Sequence, residues 1–187
     1  MTVRIKGGVP LTSMGIDPSP AATGIVLLEE TGLKIPATLF VAELKPEPGL
    51  DGLDRAINVT HQIMEIVHGH KPDRLVVEGF SLNTKNASSI IPLVELGTLI
   101  RFSMKMGGLK WYDPRATEVK KFVCGKGTAN KEQMMLQVFK RWVFEAATNN
   151  VADAYGLACM GLAQAGRLPG ITLDMQKIVG AMSVRSK

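Results

Sequence analysis

The chain has 187 residues, of which 45 % are hydrophobic and 21 % are charged; these proportions exclude collagen-like, coiled-coil and wholly disordered classes. No apolar run approaches the roughly 18 residues of a membrane span, and the N-terminus lacks the apolar core of a signal peptide. We therefore expect one cytoplasmic domain with no membrane partner. Cys124 and Cys159 are far apart without CxxC spacing, which indicates neither a disulfide framework nor a structural zinc site. The formal net charge of +5 favours a polyanionic partner.

In chain order, the hydrophobic pattern first predicts a hairpin, with strands over residues 12–17 and 23–30 around the turn-forming Pro18-Ser-Pro20. Asn130, with Gln133 three residues later, is predicted to cap a helix. The succession of elements predicts an α/β domain with a mixed five-stranded sheet flanked by helices. The domain is expected over residues 1–169, followed by a basic C-terminal tail over 170–187. The remaining predicted elements are strands over 38–44, 74–78 and 109–112, and helices over 51–69, 88–106, 115–123, 130–143 and 150–165.

Acidic residues at the ends of apolar segments are the most informative feature. Asp17 closes the first strand, Glu78 closes the fourth, and Asp153 lies in the first turn of the last apolar helix. Each has an ordinary alternative: Asp17 begins an Asx turn, Glu78 pairs with a lysine, and Asp153 complements the helix dipole. Together they supply the oxygen ligands that Mg²⁺ or Mn²⁺ needs, and a pair of such ions can serve phosphodiester cleavage.

Four short motifs, in the same order along residues 12–166, resemble the RuvC Holliday-junction resolvases. They are Gly15-Ile-Asp-Pro-Ser-Pro-Ala-Ala-Thr-Gly24, Leu75-Val-Val-Glu78, Val119-Lys-Lys-Phe-Val-Cys-Gly-Lys-Gly-Thr-Ala-Asn-Lys131 and Val151-Ala-Asp-Ala154. The resemblance implies an RNase H-like fold and a homodimer that nicks two symmetry-related strands of a four-way DNA junction. It also implies Mg²⁺ or Mn²⁺ as cofactor, with two ions in each active site. The sequence divergence and the short N-terminal extension suggest a phage-encoded or otherwise distant member.

Carried over to this chain, the resemblance makes Asp17, Glu78 and Asp153 catalytic carboxylates and metal ligands. The family has one more acid three positions before the last, and here that position is Asn150. We include Asn150 in the catalytic and metal-binding set, because an amide oxygen can ligate a metal, although it brings no charge. One interpretation is an Asp-to-Asn change that keeps DNA uncut. The other is that Asn150, like Asn149, is an N-cap.

Basic and aromatic residues complete the predicted site. By resemblance, Lys131 is a catalytic and DNA-binding lysine, and Lys120 lies near the active site; a solvated lysine is the alternative for both. The loop after Glu78 carries two candidates for a side chain that inserts into the junction, Phe80 and Leu82, and stacking on a base favours the aromatic residue. Phe80 has the alternative of being a core residue. The other expected DNA-binding residues are Lys85, Asn86, Lys121 and Lys126.

The sequence suggests two functions that compete with a nuclease, and the length of the chain argues against one of them. Sugar-kinase and Hsp70-type ATPases also begin with an Asp-containing strand, but their sites need two such domains, for which 187 residues leave no room. The loop around Lys126 lacks the P-loop pattern, so we expect no nucleotide cofactor. The alternative function is a non-catalytic branched-DNA-binding protein of the same fold, which Asn150 keeps open.

Overall fold

The computed structural model describes residues 9–80 and 87–185. The predicted strands and helices are confirmed with small shifts at their ends, and Asn130 with Gln133 forms the expected capping box. Within these residues no helix is long and apolar enough to cross a membrane. The elements are β1 (Thr12–Asp17), β2 (Thr23–Glu29), β3 (Ala37–Leu44), α1 (Gly52–His70), β4 (Arg74–Val77), α2 (Ala87–Met106), β5 (Trp111–Tyr112), α3 (Ala116–Cys124), α4 (Lys131–Trp142), α5 (Asn149–Gln164), α6 (Leu173–Gly180) and β6 (Val184–Arg185).

The sheet is mixed, with the order β3-β2-β1-β4-β5-β6. Antiparallel pairing joins β1 to β2 and β2 to β3, whereas β4 is parallel to both β1 and β5. The described residues form six strands rather than the five predicted. The sixth, β6, pairs antiparallel with β5. It escaped the sequence pattern because it has only two residues and both are exposed.

The segment after Pro169, for which only a basic tail was expected, folds onto the domain. Thr172 caps α6 by accepting a hydrogen bond from the Met175 amide, and Met175 and Val179 are buried. The guanidinium of Arg185 in β6 forms an ion pair with Asp113 at 2.9 Å. This segment therefore adds a helix to one face of the sheet and a strand to its edge.

Helices cover both faces of the sheet because alternate strand residues point to opposite sides. In β1, Met14 and Ile16 join the core under α1 and α2. In β2, Val26 and Leu28 join the second core, which includes side chains of α3, α4, α5 and α6. The strand residues are thus buried from both sides, as is usual for the central strands of such a domain.

Helix α5 lies unusually close to β1 and β2 because glycines face it. A Cβ atom at Gly15 would collide with the carbonyl oxygen of Ala154, and one at Gly24 would collide with that of Asn150. The absence of both side chains allows the backbone of α5 to rest directly on the sheet. This contact fixes the first turns of α5 beside the end of β1.

Candidate active site

Asp17 and Glu78 lie side by side at one end of the sheet. Asp17 is the last residue of β1 and only 8 % exposed. Glu78 follows the parallel strand β4, and its backbone amide donates a 3.0 Å hydrogen bond to the Ile16 carbonyl. Because the carboxyl ends of adjacent parallel strands meet at one edge, the two acids predicted from strand ends come together.

Asp153 joins this pair from the first turns of α5. Its Oδ1 atom is buried and has no hydrogen-bond partner among residues 9–80 and 87–185. An unpaired buried carboxylate oxygen is costly, and a bound cation would satisfy it. The glycine contacts of α5 with β1 and β2 therefore place an unsatisfied oxygen donor beside the two strand-end acids.

The pKa values of all three carboxyl groups are raised, mainly by burial, which indicates that the three acids share one environment. Burial raises the pKa of Asp17 well above its usual value, with Glu78 and then Asp153 adding repulsion. Burial, followed by the charge of Asp153, raises the pKa of Glu78 to about 7. Burial raises the pKa of Asp153 to about 6. A concentration of buried acids with displaced pKa values is typical of a functional site.

Two lysines oppose these shifts. Lys120 in α3 lowers the pKa values of all three acids, and Lys131 at the start of α4 lowers those of Asp17 and Asp153. The structure thus brings both lysines to the carboxyl cluster. Lys121 and Lys126, which affect none of these three pKa values, are exposed, as is Lys131. Their positive charge faces solvent, where a polyanion can reach it.

The side chain of Asn150 is already hydrogen-bonded and is therefore not free to bind a metal ion. Its Nδ2 donates a 2.7 Å hydrogen bond to the Ala22 carbonyl and a 3.4 Å hydrogen bond to Glu43 Oε1. Its Oδ1 accepts a 2.9 Å hydrogen bond from Asn149 Nδ2. The N-cap interpretation of Asn150 is wrong: Thr148 caps α5 by accepting from the Val151 amide. The helix begins one residue earlier than predicted, which places Asn150 inside its first turn.

The donor set of the cluster fits a hard divalent cation. Asp17, Glu78 and Asp153 offer carboxylate oxygens, which Mg²⁺ and Mn²⁺ prefer. Across residues 9–80 and 87–185, no three His, Cys, Asp or Glu side chains stand close enough to form a ready-made metal site. The carboxylates would therefore have to rotate towards one another to share an ion, and the charge of that ion would offset their mutual repulsion.

Phe80 lies at the rim of the cluster with its side chain 41 % exposed. It lines a small cleft of about 90 Å³ together with Glu78 and Arg101. The partial exposure argues against a purely core role and leaves part of this residue accessible to solvent. The other three residues predicted for this region, Leu82, Lys85 and Asn86, lie outside the described residues.

Sequence reasoning missed three residues that hold the site together. Glu43 accepts a 2.7 Å hydrogen bond from the Thr148 hydroxyl, and Arg101 donates one of 2.8 Å to the Glu78 carbonyl. The available signals were a lone acid in the apolar strand β3 and a lone arginine in the apolar middle of α2. Neither signal identifies its partner, because the partners are distant in sequence.

Comparison with known proteins decides the family. The profile of the family described as crossover junction endodeoxyribonuclease RuvC matches residues 13–160. The chain belongs to the RuvC family. The RuvC of Chlorobium phaeobacteroides is 31 % identical over 159 residues, which is 82 % of each chain. That of Erythrobacter litoralis is 30 % identical over 147 residues, covering 78 % of this chain and 88 % of the relative. The predicted resemblance is confirmed.

The RNase H-like fold of RuvC proteins is confirmed by a solved structure. T. thermophilus RuvC in complex with a Holliday junction substrate superposes with a TM-score of 0.71 at 20 % sequence identity. The match covers 84 % of this chain and 97 % of the other. The sheet and its helices are thus those of a RuvC domain, a family named for endonuclease action at crossover junctions.

Proposed function

We propose that this protein is a structure-selective endonuclease that resolves four-way and related branched DNA junctions by metal-dependent phosphodiester hydrolysis. The observation that carries the proposal is the cluster of Asp17, Glu78 and Asp153, buried together and opposed by Lys120 and Lys131. Membership of the RuvC family supports the substrate class. We propose the cytoplasm of a bacterial or phage-infected cell as the protein's location, because that is where DNA of this kind would be processed.

The three carboxylates are the proposed ligands for Mg²⁺ or Mn²⁺, with two ions in each site. The chemistry that such ions supply when bound is polarisation of the scissile phosphate, activation of water and stabilisation of the leaving oxygen. We assign Asn150 a supporting position beside these ligands, because both of its polar atoms already have hydrogen-bond partners. The pKa values of Glu78 and Asp153, about 7 and about 6, keep part of the cluster protonated near neutral pH until a cation binds.

The lysines and Phe80 are the proposed contacts with DNA. Lys131 and Lys120 add positive charge beside the carboxylates, where it can offset the charge that develops on the phosphate during hydrolysis. The exposed Lys121 and Lys126 are placed to contact backbone phosphates. The half-exposed aromatic ring of Phe80 is the proposed group that stacks on a base at the junction. Leu82, Lys85 and Asn86 belong to the same proposed surface on sequence grounds.

A homodimer would supply the second active site that cutting two strands requires. Helices α1 and α2 leave an apolar groove of about 470 Å³ between them. Phe102 and Met106 in its wall are 59 % and 72 % exposed. We propose that a second copy of the chain covers this face, because exposed apolar side chains in a contiguous patch typically mark an interface.

The deciding experiment is nicking of a mobile four-way junction in Mg²⁺ and in Mn²⁺, with linear duplex of the same sequence as control. The natural chain is expected to cut the junction symmetrically near the crossover and to leave the duplex intact. Glu78→Gln is expected to bind the junction without cutting it. If the natural chain binds the junction tightly and never cuts, the alternative of a non-catalytic branched-DNA-binding protein replaces this proposal.

A further inference from the structure

Arg101 holds the backbone of Glu78 from the middle of α2. Its guanidinium donates a 2.8 Å hydrogen bond from Nη2 to the Glu78 carbonyl and a 2.9 Å bond from Nη1 to the Gly97 carbonyl. The two bonds come from the two ends of one rigid planar group. They therefore fix the distance between α2 and the first residue after β4.

This guanidinium is unusual because it pairs with no Asp or Glu side chain in the part of the chain that the structure describes. Every Asp and Glu of the chain lies within residues 9–80 and 87–185, and in that part of the chain no ion pair includes Arg101. Asp113, which attracts its charge, is paired at 2.9 Å with Arg185. A partly buried cation with only carbonyl partners is held for its geometry more than for charge neutralisation.

Phe80 supplies the third contact of Arg101. The ring centroid lies 4.3 Å from the guanidinium carbon, which is a cation–π distance. The ring rests on α2 at Gly97, where a Cβ atom would come within 2.5 Å of the ring. Arg101 thus touches both a proposed metal ligand, through its backbone, and the proposed DNA-stacking side chain, two residues further along.

We infer that Arg101 is a positioning residue that couples Phe80 to Glu78, so that the placement of the aromatic ring and the placement of the carboxylate depend on one guanidinium. The inference deepens the proposed function and rests on it for the roles of Phe80 and Glu78. While the ring covers Arg101, the guanidinium keeps the Glu78 carbonyl in register with β1. A ligand that draws Phe80 away exposes the guanidinium to water, and the constraint on Glu78 changes with it.

The test compares Arg101→Met, Arg101→Lys and Phe80→Leu with the natural chain, and uses Arg167→Met as control. Arg167 pairs with Glu30 near the opposite end of β1 and β2, so its loss removes an arginine without touching this contact. Four quantities are measured. The first two, without DNA, are amide hydrogen exchange at Gly79 and Phe80 and Mn²⁺ affinity by calorimetry. The other two are the single-turnover rate of cutting when all junction DNA is bound, and the Kd for the junction.

For Arg101→Met we expect exchange at Gly79 and Phe80 to rise roughly tenfold, and Mn²⁺ affinity and the cutting rate each to fall roughly tenfold, the usual cost of losing a group that orients a ligand. The junction Kd should change much less than the cutting rate. Arg101→Lys keeps the positive charge but not the planar guanidinium, so its exchange, Mn²⁺ affinity and cutting rate should lie between those of the natural chain and Arg101→Met. If Arg101→Met does not fold, Arg101→Lys serves as the test variant. Phe80→Leu should raise exchange less than Arg101→Met does.

Unchanged exchange at Gly79 and Phe80 in both Arg101 variants overturns the inference. So does a rise spread equally over β4 and α2, because that indicates a general packing role. If the natural chain neither binds Mn²⁺ nor cuts, the proposed function fails, whereas the exchange measurement still decides whether Arg101 positions this segment.

Discussion

The side-chain amide of Asn150 donates a 2.7 Å hydrogen bond to the Ala22 carbonyl and lies 3.4 Å from the Glu43 carboxylate. Both neighbours are acceptors, so the position selects a donor. An Asp here would face a carbonyl oxygen and a second carboxylate. Asn150→Asp would therefore add repulsion at the start of α5, whatever it adds in ligand charge.

Asn150→Asp is expected to lower the free energy of unfolding by roughly 0.5–1.5 kcal/mol, the usual net contribution of one hydrogen bond, because Asn150 and its two acceptors are only partly buried. Glu43→Gln added to it should recover part of the loss, because an amide can donate where the carboxylate repels. Urea unfolding at pH 7.5 measures both variants. A Asn150→Asp protein that is as stable as the natural chain and cuts junctions at least tenfold faster would show that Asn150 is a disabled ligand.

Glu78→Gln is expected to stabilise the metal-free protein at pH 7.5. The folded pKa of Glu78 is raised to about 7 from 4.5, so the folded state holds a proton that the unfolded state releases. Stability is then lost as pH rises from about 4.5 to 7, by up to about 3 kcal/mol from this group. In thermal unfolding between pH 4 and pH 8, the Tm of the natural chain should decline more steeply with rising pH than the Tm of the Gln variant. Equal slopes would contradict the raised pKa.

Metal-dependent cutting is expected to rise with pH through the range 6 to 7, because the ligand carboxylates must lose their protons before they bind a cation. The pKa values of about 6 for Asp153 and about 7 for Glu78 set this range. Saturating Mn²⁺ should move the rise to lower pH, since the cation competes with protons. Single-turnover rates at several Mn²⁺ concentrations test this, and a profile indifferent to Mn²⁺ would argue against these ligands.

Lys120→Ala is expected to shift the rise in cutting rate to higher pH, because Lys120 lowers the pKa values of all three acids. The cutting rate at pH 7 should fall roughly tenfold, as when a charged group beside a reaction centre is removed. Lys121→Ala is the matched comparison: it should weaken junction binding and its dependence on salt without moving the profile. A shift of equal size in both variants would contradict the separation of roles.

Gly24→Ala is expected to cost roughly 1–3 kcal/mol of stability, in the range of overpacked cores, since the new methyl group would meet the Asn150 carbonyl. It should also reduce cutting, because α5 carries Asp153. Gly69→Ala is the control: Gly69 lies in α1 with no atom within 4 Å of the new group. That change should be neutral or stabilise by up to about 1 kcal/mol. Comparable losses in both variants would show that the close approach of α5 is unimportant.

The sequence predicts the elements well where a periodic pattern extends over several residues. Strand β1, which ends at Asp17, and strand β4, which precedes Glu78, are such cases. Their parallel pairing is a finding of the structure, because β2, β3 and α1 lie between them in the sequence. The contacts of Asn150 with Ala22 and Glu43 are not predictable in this way, because they join residues more than a hundred positions apart. The same holds for Arg101, whose apolar neighbours in α2 give no sign that it reaches back to Glu78. Local pattern therefore predicts which side chains carry the chemistry, while tertiary contacts decide which others hold them.

The glycine-lined face of β1 and β2 has a consequence for biosynthesis. The hairpin of β1 and β2 leaves the ribosome before its covering helix α5, which begins at Asn149. Until most of the chain has been synthesised, that face has no helix to bury it, and Asp153 has not joined Asp17 and Glu78. A nascent chain that ends before α5 accordingly lacks the carboxyl cluster, so the complete cluster arises only when α5 folds onto the hairpin.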